Sequence, residues 1–269
     1  MDLHLAGARA LITGASEGLG LAIAHRLAEE GAHVALIARR AERLAEARDE
    51  VAVHGTTVVT RIADVTEPAA LARAVDSAAS ELGGLDHVVA NAGGAVGGDV
   101  LGAPPEEVAE NIAATLALNV GHAATLISAA VPHFVAAGGG SAVVIASVSG
   151  LRPTPRTSYA TAKAAEVSLA VNLAHELASQ SIRVNAVSPG SLLIDTGWGA
   201  FRREHPDEYA RWVAAEFPLG RLGSADEVAD VVTFLLCDRS AWITGTNVVV
   251  DGGQGRPSVR TFARRPISE

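Results

Sequence analysis

Short apolar segments alternate with helical segments along most of this 269-residue chain. Seven segments have the length and composition of buried strands: Ala8–Thr13, His33–Ala38, Thr57–Ile62, His87–Ala90, Ser141–Ala146, Arg183–Val187 and Thr246–Val250. Segments with apolar residues at helical spacing separate them. Strands that alternate with helices form a doubly wound parallel sheet with right-handed crossovers. The chain is therefore predicted to be a single α/β domain with helices on both faces of the sheet.

The first strand runs into a glycine-rich loop that opens a helix, with the spacing Thr13-Gly14-x-x-x-Gly18-x-Gly20. Glycines let the backbone approach a phosphate, and a helix N-terminus presents free N–H groups and a positive dipole end. The context predicts a Rossmann-like dinucleotide site. An ordinary tight turn is the alternative. The predicted contacts in this loop are Gly14, Ser16, Gly18, Leu19 and Gly20.

Arg39 and Arg40 follow the second strand, where dinucleotide-binding folds select between cofactors. An acidic residue there binds the ribose 2′-OH of NAD, whereas an arginine accommodates the 2′-phosphate of NADP. Both arginines are predicted cofactor contacts, and they favour NADP(H). Glu17 in the glycine loop favours NAD(H), because its carboxylate would repel a phosphate. Arginines that only begin a solvated helix are the remaining alternative.

Lys163 is the only lysine in the chain, and the other twenty basic side chains are arginines. It stands four residues after Tyr159, and i and i+4 side chains share one face of a helix. A phenol has a pKa of ~10, and moving that pKa near 7 takes about 4 kcal/mol. One cation ~4 Å away supplies about that much at an effective dielectric of ~20. The pair is a candidate proton donor, with chance spacing on an exposed helix as the alternative.

Composition limits the class of protein. The formal net charge is −9 and the pI is about 5.5, which argues against nucleic acid or an anionic membrane as partner. The single cysteine, Cys237, excludes a disulfide framework and fits a reducing compartment, so a cytoplasmic location is expected. Residues 1–4 show no start of a signal peptide, and no apolar run reaches the length of a membrane span. No metal is expected.

Residues 191–217 break the alternation of strands and helices, and they hold five of the ten aromatic residues. We call this segment the lid, because an aromatic-rich insertion after a strand is typical of a cover over a pocket. Packing in the core or between subunits is the alternative. We predict one dinucleotide-binding domain over residues 1–255, with the lid inside it, and a tail over residues 256–269.

The first apolar side chains of the lid are predicted to face the substrate: Leu192, Leu193, Ile194 and Trp198. They favour an uncharged, hydrophobic ketone or secondary alcohol. Arg202 and Arg203 are the competing candidates, because they would bind an anionic group. Glu204 and Asp207 are near enough in sequence to pair with them, which favours two solvated arginines.

Together these features resemble the short-chain dehydrogenase/reductase family, in particular 3-oxoacyl-carrier-protein reductases and other ketoreductases. The resemblance extends from Leu5 to Gly253. Besides the glycine loop, its motifs stand at Asp64-Val65, Asn91-Ala92-Gly93, Asn119, Ser147, Tyr159-x-x-x-Lys163, Asn185-x-x-x-Pro189-Gly190 and Asp251-Gly252-Gly253. It implies an oxidoreductase that transfers a hydride between a nicotinamide cofactor and a small-molecule ketone or secondary alcohol. It also implies a homo-oligomer, either tetramer or dimer.

The resemblance assigns catalytic roles to four residues. Tyr159 is the implied general acid for ketone reduction and the base for alcohol oxidation, and Lys163 lowers its pKa and holds the nicotinamide ribose. Ser147, with Ser149 as a rival, hydrogen-bonds the substrate carbonyl. Asn119 kinks its helix and helps to anchor a relay water. The implied cofactor contacts are Asp64 and Val65 at the adenine, Asn91, Ala92 and Gly93 near the adenosine ribose, and Pro189 and Gly190 at the nicotinamide.

Three departures from the family pattern stand out. Glu17 occupies a place that is often basic or small in members that use NADP. The spacing from Ser147 to Tyr159 is one residue shorter than in many members. Ile194 replaces a frequent threonine, and Thr196 comes two residues later. A lyase or isomerase on the same fold and a catalytically silent dinucleotide-binding regulator are the alternative functions.

Overall fold

The computed structural model describes residues 2–97, 103–154, 156–194 and 197–255. Its centre is a seven-stranded parallel sheet in the order β3-β2-β1-β4-β5-β6-β7. The strands are β1 (Arg9–Thr13), β2 (His33–Ala38), β3 (Val58–Ile62), β4 (His87–Ala90), β5 (Gly140–Ile145), β6 (Ile182–Pro189) and β7 (Asn247–Val250). The predicted doubly wound α/β fold is confirmed, with strand ends within two residues of expectation.

Helices cover both faces of this sheet. In the described ranges they are α1 (Gly18–Glu29), α2 (Ala41–Ala52), α3 (Pro68–Leu82), α4 (Pro105–Leu116), α5 (His122–Ala137), α6 (Thr157–Leu177), α7 (Trp198–Glu204), α8 (Pro206–Glu216) and α9 (Ala225–Leu236). One apolar core joins α3, α5 and α6 to the sheet, and the other joins α1, α2 and α9 to its opposite face. The strands are continuously apolar because they are buried on both sides.

One long helical segment runs from Pro105 to Ala137, through α4, a π-helical turn at Ala117–Gly121, and α5. By length and composition alone, it is the one helix in the described ranges that is long and apolar enough to cross a membrane. The expectation that no apolar stretch is so long was therefore wrong. Its apolar side chains have another explanation, because Leu126, Ile127 and Phe134 are buried in the core beneath β4 and β5.

The order of the strands reverses between β1 and β4, which are neighbours although β2 and β3 lie between them in sequence. In open α/β sheets a crevice forms outside the carboxyl ends of the strands at such a switch point. The glycine loop follows β1, and Asn91 follows β4, so both stand at this crevice. The predicted tail, residues 256–269, lies outside the described residues.

Candidate active site

A cleft of 1140 Å³ opens at the carboxyl edge of the sheet. Eight of the residues predicted for catalysis or cofactor binding line it: Leu19, Asn91, Gly93, Ser147, Tyr159, Lys163, Pro189 and Gly190. They come from the start of α1, the segments that follow β4 and β5, the end of β6 with the residue after it, and α6. Residues far apart in sequence therefore meet because parallel strands all end at the same edge.

The glycine loop is shaped for close backbone approach. Gly14 and Gly18 have φ of 64° and 58°, in the left-handed region that favours glycine. A Cβ on Gly20 would stand 2.3 Å from the Gly14 carbonyl oxygen, so the start of α1 packs directly on the turn. The loop thus brings the N-terminus of α1 to the cleft, where its N–H groups can receive a phosphate.

Asn91 braces this loop from the end of β4. Its amide nitrogen donates to the carbonyl oxygens of Thr13 at 2.9 Å and Gly14 at 3.1 Å. The Thr13 hydroxyl accepts from the backbone N–H of Asn91 at 3.1 Å and lies 2.9 Å from Nε2 of His122 on α5. Burial and the Lys163 ammonium lower the pKa of His122 to about 4, so its ring is neutral. The amide of Asn91 therefore stabilises the glycine loop through these two hydrogen bonds.

Charged residues surround the end of β2 in two pairs. Arg40 makes a 2.7 Å ion pair with Glu17 of the glycine loop. Arg39 is looser, with Nη1 3.8 Å from the Asp64 carboxylate and a side chain that is 72% exposed. Thr66 donates its hydroxyl and its N–H to Asp64, which lowers the Asp64 pKa. Glu17 is therefore compensated by one arginine, while the other remains accessible.

Tyr159 and Lys163 project from the first turns of α6 towards the end of β5. The Lys163 ammonium lies 5.5 Å from the centroid of the Tyr159 ring. It donates to the carbonyl oxygen of Ile145 at 2.8 Å and pairs with Glu166, and its side chain is only 3% exposed. The helix thus holds a phenol and a fixed buried cation side by side in the cleft.

Ser147 begins the short 3₁₀ turn that connects β5 to the cleft, and its hydroxyl accepts the N–H of Ser149 at 3.1 Å. Both serines line the cleft. A Cβ on Gly150 would meet the backbone of α6 at 2.5–2.6 Å from atoms of Lys163 and Ala164. This glycine lets the turn rest directly on α6, and Ser147 and Tyr159 line the same cleft despite the shortened spacing.

Asn119 lies at the centre of the π-helical turn, fully buried. Its amide donates to the Thr115 carbonyl at 2.7 Å and to the Gly94 carbonyl at 2.8 Å. π-helical turns interrupt the regular ladder of a helix, and the predicted kink at Asn119 stays a prediction. A Cβ on Gly93 would stand 2.6 Å from Asn119 Oδ1 and 3.0 Å from Lys163 Nζ, so the strand end, the turn and the lysine are in close contact.

The lid forms α7 and α8, and its aromatic residues divide between two tasks. Trp198, Phe201 and Trp212 line the cleft, and the two indole rings stack with centroids 4.0 Å apart. Phe217 packs with Leu222 in a small core of its own, against which Tyr209 also rests. Trp212 belongs to both groups, because its ring also meets Phe217 at 5.0 Å. That this segment covers a pocket stays a prediction.

Four predicted lid contacts have different outcomes. Leu192, Ile194 and Trp198 line the cleft, whereas Leu193 does not line it and is 39% exposed. Leu192 pairs with Gly223 in a parallel bridge, and Leu193 follows it on the outer side of the segment. Asp195 and Thr196 lie outside the described residues.

Residues not singled out from the sequence also shape the cleft. Gln254 is buried and accepts the N–H of Ser191 at 2.8 Å, which ties the start of the lid to the segment after β7. Arg152 donates to the carbonyl oxygen of Gln254, and Arg156 lines the same wall. Gln254 directly follows the Asp251-Gly252-Gly253 motif, which is the signal that could have drawn attention to it.

The arrangement fits a dinucleotide, because an open glycine turn, a helix N-terminus and an accessible arginine lie along one edge. Beside the expected nicotinamide end it places a phenol, a cation and a serine hydroxyl. Such a fold and site define a nicotinamide-dependent oxidoreductase.

Comparison with known proteins gives the family. A family model described as enoyl-(acyl carrier protein) reductase matches residues 14–254. Dehydrogenase/reductase SDR family member 4 from Bos taurus is 36% identical over 245 residues, which cover 91% of this chain and 86% of the relative. The chain belongs to the short-chain dehydrogenase/reductase family, and it transfers a hydride between a nicotinamide cofactor and a ketone or secondary alcohol.

Two solved structures of similar fold carry cofactors. A 7α-hydroxysteroid dehydrogenase complexed with NADH and 7-oxo glycochenodeoxycholic acid has a TM-score of 0.86 and 31% identity, covering 95% of this chain and 97% of the other. L-Sorbose reductase from Gluconobacter frateurii, complexed with NADPH and L-sorbose, has a TM-score of 0.86 and 32% identity, covering 96% and 100%. The cofactor class is thus a nicotinamide dinucleotide, and the two similar structures bind NADH and NADPH respectively.

Proposed function

We propose that this protein is an NADP(H)-dependent reductase of apolar ketones, with the oxidation of the corresponding secondary alcohols as the reverse reaction. The observation that carries the cofactor preference is the pairing at the end of β2. Arg40 pairs with Glu17 and offsets its negative charge, so the carboxylate repels a 2′-phosphate less. Arg39 is exposed and held only loosely at 3.8 Å from Asp64, so its guanidinium can turn to a phosphate.

Four residues are assigned to the chemistry. The cofactor supplies the hydride when it is bound. As charge develops on the substrate oxygen, Tyr159 donates its proton and Ser147 donates a hydrogen bond to the same oxygen. Lys163 stabilises the phenolate that remains and holds the ribose hydroxyls. Asn119 shapes the π-helical turn against which Gly93 and Lys163 rest.

The proposed substrate class follows from the walls of the cleft. Trp198, Phe201 and Trp212 form one aromatic wall, and Leu192 and Ile194 extend it with aliphatic surface. Such walls favour an apolar body on the substrate. Arg202 lies over the Tyr209 ring at 5.8 Å and does not line the described part of the cleft.

A second candidate substrate class rests on Arg152 and Arg156. Both line the cleft, and they offer positive charge beside the apolar surface. An apolar ketone with an acidic substituent would use both kinds of wall. The related hydroxysteroid dehydrogenase binds 7-oxo glycochenodeoxycholic acid, which supports keeping this class in the test.

The purified protein should be assayed with NADPH and NADH against ketones offered in pairs, one neutral and one carboxylated but otherwise of the same shape. We expect turnover with NADPH at higher kcat/KM than with NADH, and with the neutral ketone of each pair preferred. A preference for the carboxylated member would select the second class. Turnover without net change in cofactor absorbance would instead indicate a lyase or isomerase.

We also propose a cytoplasmic homo-oligomer. Trp242 is fully exposed and Leu219 is 67% exposed in the single chain. Large exposed apolar side chains favour contact with a further subunit. Light scattering on a size-exclusion column would measure the mass, and a monomer at micromolar concentration would contradict the proposal.

A further inference from the structure

A carboxylate is buried against the catalytic lysine. Glu166 follows Lys163 by three residues on α6, so both side chains share one face of the helix. Their side chains are 1% and 3% exposed. Glu166 Oε2 is the nearer oxygen, 2.9 Å from the ammonium, but only Oε1, at 3.2 Å, has the direction of a hydrogen bond. Burying a carboxylate is costly, and the hydride-transfer chemistry alone does not require one here.

Glu166 fixes where the ammonium points. An ammonium has three N–H donors. One donor of Lys163 is used by the carbonyl oxygen of Ile145 at 2.8 Å and another by Glu166. One donor therefore remains for groups in the cleft, and the two protein acceptors hold it in a fixed direction beside Tyr159.

We propose that Glu166 is a positioning residue for Tyr159 and Lys163: it anchors the ammonium and, while ionised, offsets the field of that ammonium at the Tyr159 hydroxyl. The inference rests on the proposed role of Tyr159 as proton donor and acceptor. It adds a residue that acts through Lys163 without touching the substrate or the cofactor.

The charge of Glu166 changes in the neutral range. Burial raises the pKa of its carboxyl to about 7, although Lys163 pulls that pKa down. Below that pH the carboxyl is neutral and the ammonium acts uncompensated on Tyr159. Above it, the ion pair is neutral as a whole. Glu166 thereby couples the field at the phenol to pH.

No other described charge competes for this role. Lys163 is the only charged residue among those described that shifts the pKa of Glu166. His122, which faces Lys163 from α5, is neutral. Arg183 on β6 binds carbonyls at the opposite end of its strand. The three glutamates of α4, which packs on α6, are exposed: Glu106, Glu107 and Glu110.

The test is Glu166→Gln, which keeps the shape and the acceptor oxygen but removes the charge. We expect the acidic limb of kcat/KM for alcohol oxidation to move to lower pH by on the order of one unit, because an anion near the phenol is gone. Glu166→Asp keeps the charge but shortens the reach, so kcat should fall while the limb stays near its wild-type position. Glu176→Gln, an exposed change on the same helix, is the control.

Nuclear magnetic resonance of the cofactor-free protein gives a readout that does not need turnover. With carbon-13-labelled glutamate carboxyls, one wild-type signal should titrate near pH 7 and be absent in Glu166→Asp. With labelled tyrosine, the signal that Tyr159→Phe removes should titrate at lower pH in Glu166→Gln. If the glutamine variant does not fold, Glu166→Asp decides: kcat should fall while the acidic limb keeps its position, and an unchanged kcat would contradict the positioning role.

Two results would overturn the inference. One is that the acidic limb for alcohol oxidation moves to higher pH in Glu166→Gln, since removing an anion beside the phenol should move it to lower pH. The other is that both the limb and the tyrosine signal stay in place in Glu166→Gln even though the rate falls, since Glu166 would then only fill space. If the titrations shift as expected but no ketone or alcohol is turned over, the coupling stands and the proposed function fails.

Discussion

The two ends of the central sheet both hold cavities lined with polar residues. These residues differ in how many of their hydrogen-bond donors and acceptors are free to bind a ligand. The cleft at the carboxyl edge measures 1140 Å³, and a cavity at the amino edge measures 790 Å³. Volume alone therefore does not distinguish a catalytic cleft from a cavity without a ligand. The two cavities are distinguished by whether their polar groups already have hydrogen-bond partners in the protein.

At the amino edge, the polar groups satisfy one another. Arg183 donates to the carbonyl oxygens of Leu235, Leu236, Cys237 and Ile243, and so caps the C-terminus of α9. His87 Nδ1 lies 2.9 Å from the Ser141 hydroxyl, which donates to the Leu236 carbonyl at 2.8 Å. Burial lowers the pKa of His87 to about 4, so the ring is neutral and fixed.

At the carboxyl edge, the same kinds of group keep unused capacity. Lys163 has one free donor direction, and Arg39 is held by a single long ion pair. Tyr159 and Ser147 line the open cleft. Groups with spare hydrogen-bonding capacity can meet a ligand, whereas saturated groups cannot do so without breaking bonds already made.

Tyr159→Phe is the strongest test of this contrast, because it removes one hydroxyl and nothing else from the carboxyl edge. We expect kcat for ketone reduction to fall about 10²–10⁴-fold, as proton donation is lost. The cofactor dissociation constant, measured by fluorescence titration, should change little. Loss of cofactor binding in a folded variant would contradict the role assigned to the hydroxyl.

Arg39→Asp should produce the next largest change. The ratio of kcat/KM with NADPH to that with NADH should fall roughly a hundredfold, since an aspartate repels a 2′-phosphate and accepts from a 2′-OH. Glu17→Ala should change the ratio less, because Arg40 already compensates that carboxylate. Arg48→Asp on α2, which is exposed and pairs with Asp49, is the matched control. A wild-type preference for NADH would refute the cofactor proposal at once.

Trp198→Ala sharpens the contrast within the lid. We expect KM for an apolar ketone to rise roughly tenfold through lost apolar contact, with the cofactor dissociation constant unchanged. Arg202→Ala is the comparison variant, as its guanidinium rests on Tyr209 and should affect KM little. A larger rise in KM for Arg202→Ala would mean that the pocket recognises charge.

Arg183→Met should have the smallest effect on activity and a clear one on stability. Removing the guanidinium takes one hydrogen bond from each of four carbonyl groups, which keep donors in Ser240, Ser141 and Asn185. The free energy of unfolding should therefore fall by about 3 kcal/mol through the loss of four charge-assisted bonds. Urea denaturation measures that loss, and kcat/KM at a temperature where the variant is folded should stay within about twofold of wild type. A large loss of activity without loss of stability would contradict the assignment of a structural role to the amino edge and a catalytic role to the carboxyl edge.

The sequence by itself determined the sheet and the edge at which the site lies. Strands buried on both faces must be continuously apolar, and the polar residues that follow them must gather where parallel strands end. The spacing of Tyr159 and Lys163 is equally local, since i and i+4 share a helix face. Glu166 follows Lys163 by three residues, so the sequence also places it on the same face of the helix.

Only the tertiary structure decided which distant residues meet. The Thr13 hydroxyl contacts His122, which is 109 residues away, and Gln254 holds Ser191, which is 63 residues away. The Glu17 carboxylate pairs with Arg40 rather than Arg39. Leu193 is not among the residues that line the cleft. Periodicity fixes the face on which a side chain stands, but loop paths and rotamers fix its partner. Those depend on contacts that form only when the whole sheet has assembled.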